Sequence, residues 1–115
     1  MITLYHNPRC SKSREALELL EARGVQPDIV RYLETPPDAA TLKQLLRTLG
    51  ISARELLRTK EDEYRELGLD DPALGEDALI AAMVAHPRLI ERPVAVCGQR
   101  AVIGRPPEKV LELLK

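Results

Sequence analysis

The first 32 residues carry the strongest constraint on the fold. Ile2-Thr3-Leu4-Tyr5 alternates as a short strand, Asn7-Pro8 interrupts it, and residues 11–23 put Ala16, Leu17, Leu19 and Leu20 on one helical stripe that Gly24 closes. Asp28-Ile29-Val30-Arg31-Tyr32 then reads as a second strand. Strand, helix and strand in this order complete a βαβ pattern, which is compatible with parallel pairing of the two strands.

The middle of the chain has a different character. Thr35-Pro36-Pro37-Asp38 opens a helix with Leu42, Leu45, Leu46 and Leu49 at i, i+3, i+4 and i+7, ended by Gly50. Ser52 and Glu55 have the spacing of a capping box and predict a short helix through Leu56 and Leu57. A further helix over 76–85 carries Leu79, Ile80, Met83 and Val84 and stops at His86-Pro87, where His86 reads as structural. The last segment predicts strands at 93–97 and 100–103 across a Gly98-Gln99 turn of type II′. A closing helix follows, with Val110, Leu111 and Leu114 as its apolar face. The order is βαβ, a helical insert at about 36–90, then ββα, within a single domain spanning 1–115.

Composition narrows the function. The formal net charge is −1 with 30% charged residues, so no basic field is available for nucleic acid or an anionic membrane. No apolar run is long enough to span a bilayer, and MITLYHNPRC lacks the regions of a signal peptide, so a cytoplasmic protein is expected. His6, His86, Cys10 and Cys97 are mostly far apart in sequence, and no metal site is expected from them.

Cys10 is the residue with the most chemistry in its surroundings. It stands at a helix start, with its partial positive charge and unpaired N–H groups, and His6 and Arg9 are close in sequence. Those features lower a thiol pKa, and the thiolate is the nucleophile. Ser13 stands where a CxxC motif has its second cysteine, so no local disulfide forms. Ala16 stands where a CX5R phosphate cradle needs arginine, which disfavours a phosphatase. Ser11 and Ser13 read as helix-start residues whose oxygens take up backbone N–H groups, Asn7 and Pro8 as shapers of the loop, and Arg9, Lys12 and Arg14 as auxiliary charge. Cys97, ending a hydrophobic strand, reads as a packing residue, with a resolving thiol as the alternative reading if the fold brings it near Cys10.

The element order matches the thioredoxin-like architecture, an α/β fold built on a four-stranded mixed sheet. That resemblance implies that Pro93 is the cis-proline facing the Cys10 loop. HNPRCSKSR at 6–14, YLETPP at 32–37, RELLRTKEDEYRELGL at 54–69, HPRLIERPV at 86–94 and IGRPPE at 103–108 further resemble the glutaredoxin-dependent, ArsC-type arsenate reductases, end to end. The resemblance implies Cys10 as the nucleophile, Arg58, Arg92 and Arg105 as ligands of the arsenic oxyanion, and His6 and Ser13 as auxiliary residues, His6 tuning Cys10. It also implies arsenate as substrate, glutathione as co-substrate, glutaredoxin as partner and no bound cofactor. Arginine suits the task, because its planar fork matches a tetrahedral oxyanion with paired, charge-assisted hydrogen bonds. Two other functions share the fold: an Spx-like redox regulator that binds RNA polymerase, and a glutathione-binding thiol protein with little arsenate activity. The missing second cysteine and the three motif arginines favour the enzyme over the regulator.

Overall fold

A computed structural model describes residues 1–115. The chain forms two compact units, one of residues 1–35 with 92–115 and one of residues 36–91.

The first unit holds β1 (Ile2–Tyr5), α1 (Ser11–Ala22), β2 (Asp28–Val30), β3 (Val94–Cys97), β4 (Arg100–Ile103) and a C-terminal 3₁₀ helix (Pro107–Leu114). The strands form one sheet in the order β2-β1-β3-β4. β1 pairs in parallel with β2 and antiparallel with β3, which pairs antiparallel with β4. This is the thioredoxin-like mixed sheet expected from the element order.

Side chains alternate across the pleat, and Leu4, Ala95 and Val102 stand in register on one face with Ile2 and Cys97. On that face Ile2, Leu4 and Ala95 pack with Ala16 and Leu20 of α1 and Val110 and Leu113 of the 3₁₀ helix. Shortening such a fully buried leucine to alanine typically costs about 2–5 kcal/mol. Gly98 has φ +62° and no other residue type has positive φ, so the hairpin between Cys97 and Arg100 lacks the second left-handed residue of a type I′ turn.

The second unit is helical: α2 (Ala39–Leu49), α3 (Ala53–Leu56), α4 (Asp62–Glu66), α5 (Glu76–Ala85) and a 3₁₀ turn at Pro87–Leu89. Asp38 caps α2 by accepting from the Thr41 N–H at 2.8 Å, and Gly50 ends it at φ +70°. The Ser52/Glu55 capping box is formed in both directions. Leu42, Leu45, Leu46, Leu79, Ile80 and Met83 are buried, the faces that the leucine periodicity marked. Leu57 leaves α3 extended and bridges Ile90, with the Arg58 N–H donating to the Leu89 carbonyl at 2.7 Å and Glu91 N–H to Leu56 at 2.8 Å. No helix is long and apolar enough to cross a membrane.

One expectation changes, and one element is not foreseen. The closing helix is 3₁₀, and it buries Pro107, Val110 and Leu113, while Leu114 is exposed and Leu111 only half-buried. The buried set recurs every three residues, the period of a 3₁₀ helix, so Leu111 and Leu114 fall away from the face Val110 presents. The short α4 has no buried residue, and its charged sequence gives no apolar period from which it could be read.

Pro93 and Pro106 both follow cis peptide bonds. Gly104 joins these segments: its N–H donates to the Pro93 carbonyl at 2.8 Å, and a Cβ there would lie 2.8 Å from Pro93 Cγ and 3.1 Å from Val110 Cγ1. Neither neighbour is the free end of a flexible chain. Gly104→Ala is therefore expected to destabilise the protein by about 1–3 kcal/mol through overpacking, read as a lower urea midpoint at unchanged m-value.

Candidate functional site

Cys10 is the N-cap residue of α1, in extended conformation, and is buried. Its thiol makes no cap hydrogen bond of the ordinary kind. The backbone N–H groups of Lys12 and Ser13, at the N2 and N3 positions, nevertheless face the sulfur and favour its thiolate. Burial alone raises the thiol pKa. The Ser13 N–H, the charge of Arg92, the Lys12 N–H and a hydrogen bond from the Arg92 guanidinium together outweigh it, and the net shift is downward. Cys10 is thus biased towards its nucleophilic form.

The loop before it is held by a buried polar cluster. His6 is 5% exposed and Ser13 0%. His6 Nδ1 lies 2.6 Å from Ser13 Oγ, which also accepts from the Asn7 N–H at 3.0 Å. A hydroxyl both donates and accepts, so the pair is satisfied with the shared proton on either partner. His6 N–H donates to Val30 of β2, and Cys10 N–H closes a turn on the Asn7 carbonyl. The Asn7 side chain accepts from Arg9 N–H, and Arg14 Nη1 donates to the Pro8 carbonyl. The strand end and the helix start are thereby tied at several points.

This refines the reading of the two serines. Ser13 does accept a backbone N–H, but that of Asn7 in the loop, while Ser11 is exposed and the helix start has no side-chain cap. The pKa of His6 is lowered by burial first, then by the charges of Arg31 and Arg14, which keeps the imidazole neutral near pH 7. Nδ1 of His6 is engaged by Ser13, so the imidazole is tied to the first turn of α1.

Arg92 and Pro93 lead into β3 on the same unit, and Arg105 Nη1 donates to the Arg92 carbonyl at 3.3 Å. Cys10, His6, Ser13, Arg92, Pro93 and Arg105 thus all belong to the first unit, with Arg92 on the sulfur and Arg105 on the backbone of Arg92. Arg58 belongs to the second unit, where its Nη1 lies 2.7 Å from Glu61 Oε1 and donates to the Arg88 carbonyl at 3.5 Å. Sequence reasoning did not single out Glu61, whose i, i+3 spacing from Arg58 was the available signal.

Both cysteines are free thiols. Cys97 pairs with Ile2, at the start of β1, whereas Cys10 follows the end of β1. The two cysteines thus belong to opposite ends of β1. No group of three or more His, Cys, Asp or Glu side chains is arranged to hold a metal ion.

A family model described as the ArsC family matches residues 5–113. The uncharacterized protein YfgD of Escherichia coli (strain K12) is 61% identical, over 98% of this chain and 96% of its own. An arsenate reductase of Neisseria meningitidis serogroup B is 51% identical, over 98% of this chain and 97% of its own. Among solved structures, an arsenate reductase from Vibrio cholerae has a TM-score of 0.95 at 53% identity, covering 97% of this chain and 96% of that one. With its motifs, its sheet order and these matches along nearly its whole length, the chain belongs to the ArsC family.

Proposed function

We propose that this protein reduces arsenate to arsenite through Cys10, with glutathione as co-substrate and glutaredoxin as the partner that removes the glutathione. The observation that carries the reading is a buried thiol at a helix N-terminus with its pKa drawn down by two backbone N–H groups and the Arg92 guanidinium. The names of the Neisseria and Vibrio relatives support arsenate as the substrate.

In the first step the Cys10 thiolate attacks arsenic, a sulfur–arsenic bond forms, and one arsenate oxygen leaves as water after protonation. Arg92 and Arg105 hold the remaining oxygens and offset their charge as the anionic thiolate approaches. Glutathione brings the second thiol. Its sulfur bonds to arsenic in the adduct as a second oxygen leaves as water, and a glutaredoxin thiol then takes the glutathione as a mixed disulfide while two electrons pass to arsenic. Water cleaves the remaining bond between Cys10 and arsenic, returning the Cys10 thiol and releasing arsenite. One arsenate and two thiols, one from glutathione and one from glutaredoxin, thus yield one arsenite, one mixed disulfide and one water. Arg58 is assigned as a third oxyanion ligand by its motif position. Such thiol chemistry suits the reducing conditions of the cytoplasm, the location we assign.

The deciding experiment is arsenite formation from arsenate with glutathione and glutaredoxin. Wild-type protein is expected to turn over and Cys10→Ser to be inactive while folded; turnover by Cys10→Ser would move the nucleophile elsewhere. Arg92→Ala is expected to lower kcat/KM for arsenate by about tenfold or more, and unchanged kinetics would remove it from the site.

The thiolate is lost as pH falls through the depressed pKa of Cys10, so alkylation of Cys10 by iodoacetamide should persist to lower pH than for an ordinary thiol of pKa about 8.5. Arg92→Ala removes a charge and a hydrogen bond from the thiolate and should move that midpoint upward. Cys97→Ser should retain turnover, because Cys97 is at the far end of β1; inactive but folded Cys97→Ser would make it the resolving thiol.

A further inference from the structure

Glu61 breaks two local rules at once. It occupies the N-cap position of α4, yet its side chain makes no cap hydrogen bond there. Its side chain is only 14% exposed, in a segment where neighbouring Lys60 and Asp62 face solvent. A glutamate is rarely withdrawn from water unless it is paired. Here each carboxylate oxygen meets an arginine: Oε1 lies 2.7 Å from Arg58 Nη1, and Oε2 lies 3.4 Å from Arg88 Nη2. Arg88 also approaches Glu63 at 3.9 Å.

The Arg58 side of this network is selective about which nitrogen it engages. Arg58 is 20% exposed, and its backbone is fixed by the N–H bond to Leu89. Both guanidinium contacts, to Glu61 and to the Arg88 carbonyl, fall on Nη1. Nε and Nη2, which form the side-on fork of a guanidinium, point two parallel N–H groups along a different edge. A long arginine side chain held at one nitrogen gives up rotamer freedom before any ligand arrives, so less is lost when an oxyanion binds the other edge. Arg88 engages the second oxygen of Glu61 and also Glu63, so the carboxylates are shared between two arginines and the network of Arg58, Arg88, Glu61 and Glu63 is formally neutral before an oxyanion arrives.

We propose that Glu61 is a positioning residue for Arg58, pinning Nη1 so that the Nε–Nη2 edge is presented as a fixed fork to the oxyanion. The inference rests on the reading of Arg58 as an oxyanion ligand in the proposed reduction and adds the residue that aims it. The opposite role, a carboxylate that competes with the oxyanion for Arg58, predicts the opposite kinetic sign.

The test is steady-state arsenate reduction at saturating glutathione and glutaredoxin, using wild type, Glu61→Gln, Glu61→Ala, Arg58→Ala and the double variant Arg58→Ala/Glu61→Ala. Loss of one charge-assisted hydrogen bond predicts a KM for arsenate raised about tenfold in Glu61→Ala, with kcat changed less than about twofold. The isosteric Glu61→Gln, which keeps an acceptor without the charge, should fall between. The double variant should match Arg58→Ala, because Glu61 then has nothing to aim.

A lowered KM in Glu61→Gln would overturn the proposal in favour of competition, and double-variant effects that multiply would show the two residues acting independently. A fall in kcat at unchanged KM in Glu61→Gln would mark a merely structural role. Active wild type with an unmoved KM in Arg58→Ala would remove Arg58 from the site and Glu61 with it. Wild type that forms no arsenite would sink the functional reading itself, and with it this one.

Discussion

A thiolate held out of water survives only where other donors replace the water. For Cys10, burial pushes the pKa up, and the site exists because the Ser13 and Lys12 N–H groups and the Arg92 guanidinium push harder in the other direction. Each of those donors depends on a different part of the first unit. The helix N–H groups aim at the sulfur because Ala16 and Leu20 fix α1 against Ile2, Leu4 and Ala95 of the sheet. The loop keeps its path because Ser13 ties His6 to Asn7. The segment carrying Arg92 is tied in turn by the Gly104 N–H on the Pro93 carbonyl, which only a residue without a Cβ permits at that approach. Packing, buried polar contacts and backbone proximity thus all serve one electrostatic balance.

The elements set by local chemistry were legible in the sequence. β1, the Asp38 and Gly50 ends of α2, the Ser52/Glu55 box, the limits of α5 and the Gly98 turn all depend on residues within a few positions of one another. What escaped was set by geometry at longer range. Leu113 follows Val110 at a threefold period, whereas a helical reading at 3.6 residues per turn sets Leu111 and Leu114 beside Val110. Ser13 was legible as an acceptor of a backbone N–H, but its partners, six and seven residues back, require the fold of the loop. Cys10 itself could be singled out from its helix-start context, whereas the arginine on its sulfur comes from a segment more than 80 residues away and was reached only through motif resemblance.

The arginines also show why residue type alone underdetermines a site. Arg65 pairs with Asp62 at 2.7 Å on an exposed helix face, where both partners stay well solvated and the pair is worth little. Arg54 spends its guanidinium on the carbonyls of Leu69 and Asp71, and Arg100 on those of Lys115 and Glu112, so both serve chain ends and turns. Arg58 has the same spacing to its carboxylate as the Arg65 pair but lies in a far less exposed setting, with one edge of its guanidinium left over. The sequence distance is identical and the solvent exposure is not, so the Arg58 pair is screened less by water and fixes a geometry that the Arg65 pair cannot.

The distribution of sulfur has a consequence of its own. A two-electron reduction by thiols ends in a disulfide and therefore needs two sulfurs able to meet. The residue three positions after Cys10 is the buried Ser13, whose hydroxyl is committed to His6 and Asn7. Cys97 points into the core face beside Ile2, at the end of β1 away from the Cys10 loop, and packs against the Ile2, Leu4 and Ala95 cluster. Replacing Ser13 by cysteine would create a CxxC spacing at the expense of the clamp that holds the loop. Cys97 and the Cys10 loop thus belong to opposite ends of β1, and the position three after Cys10 carries no sulfur. The reduction we propose therefore takes its second sulfur from a separate molecule, glutathione.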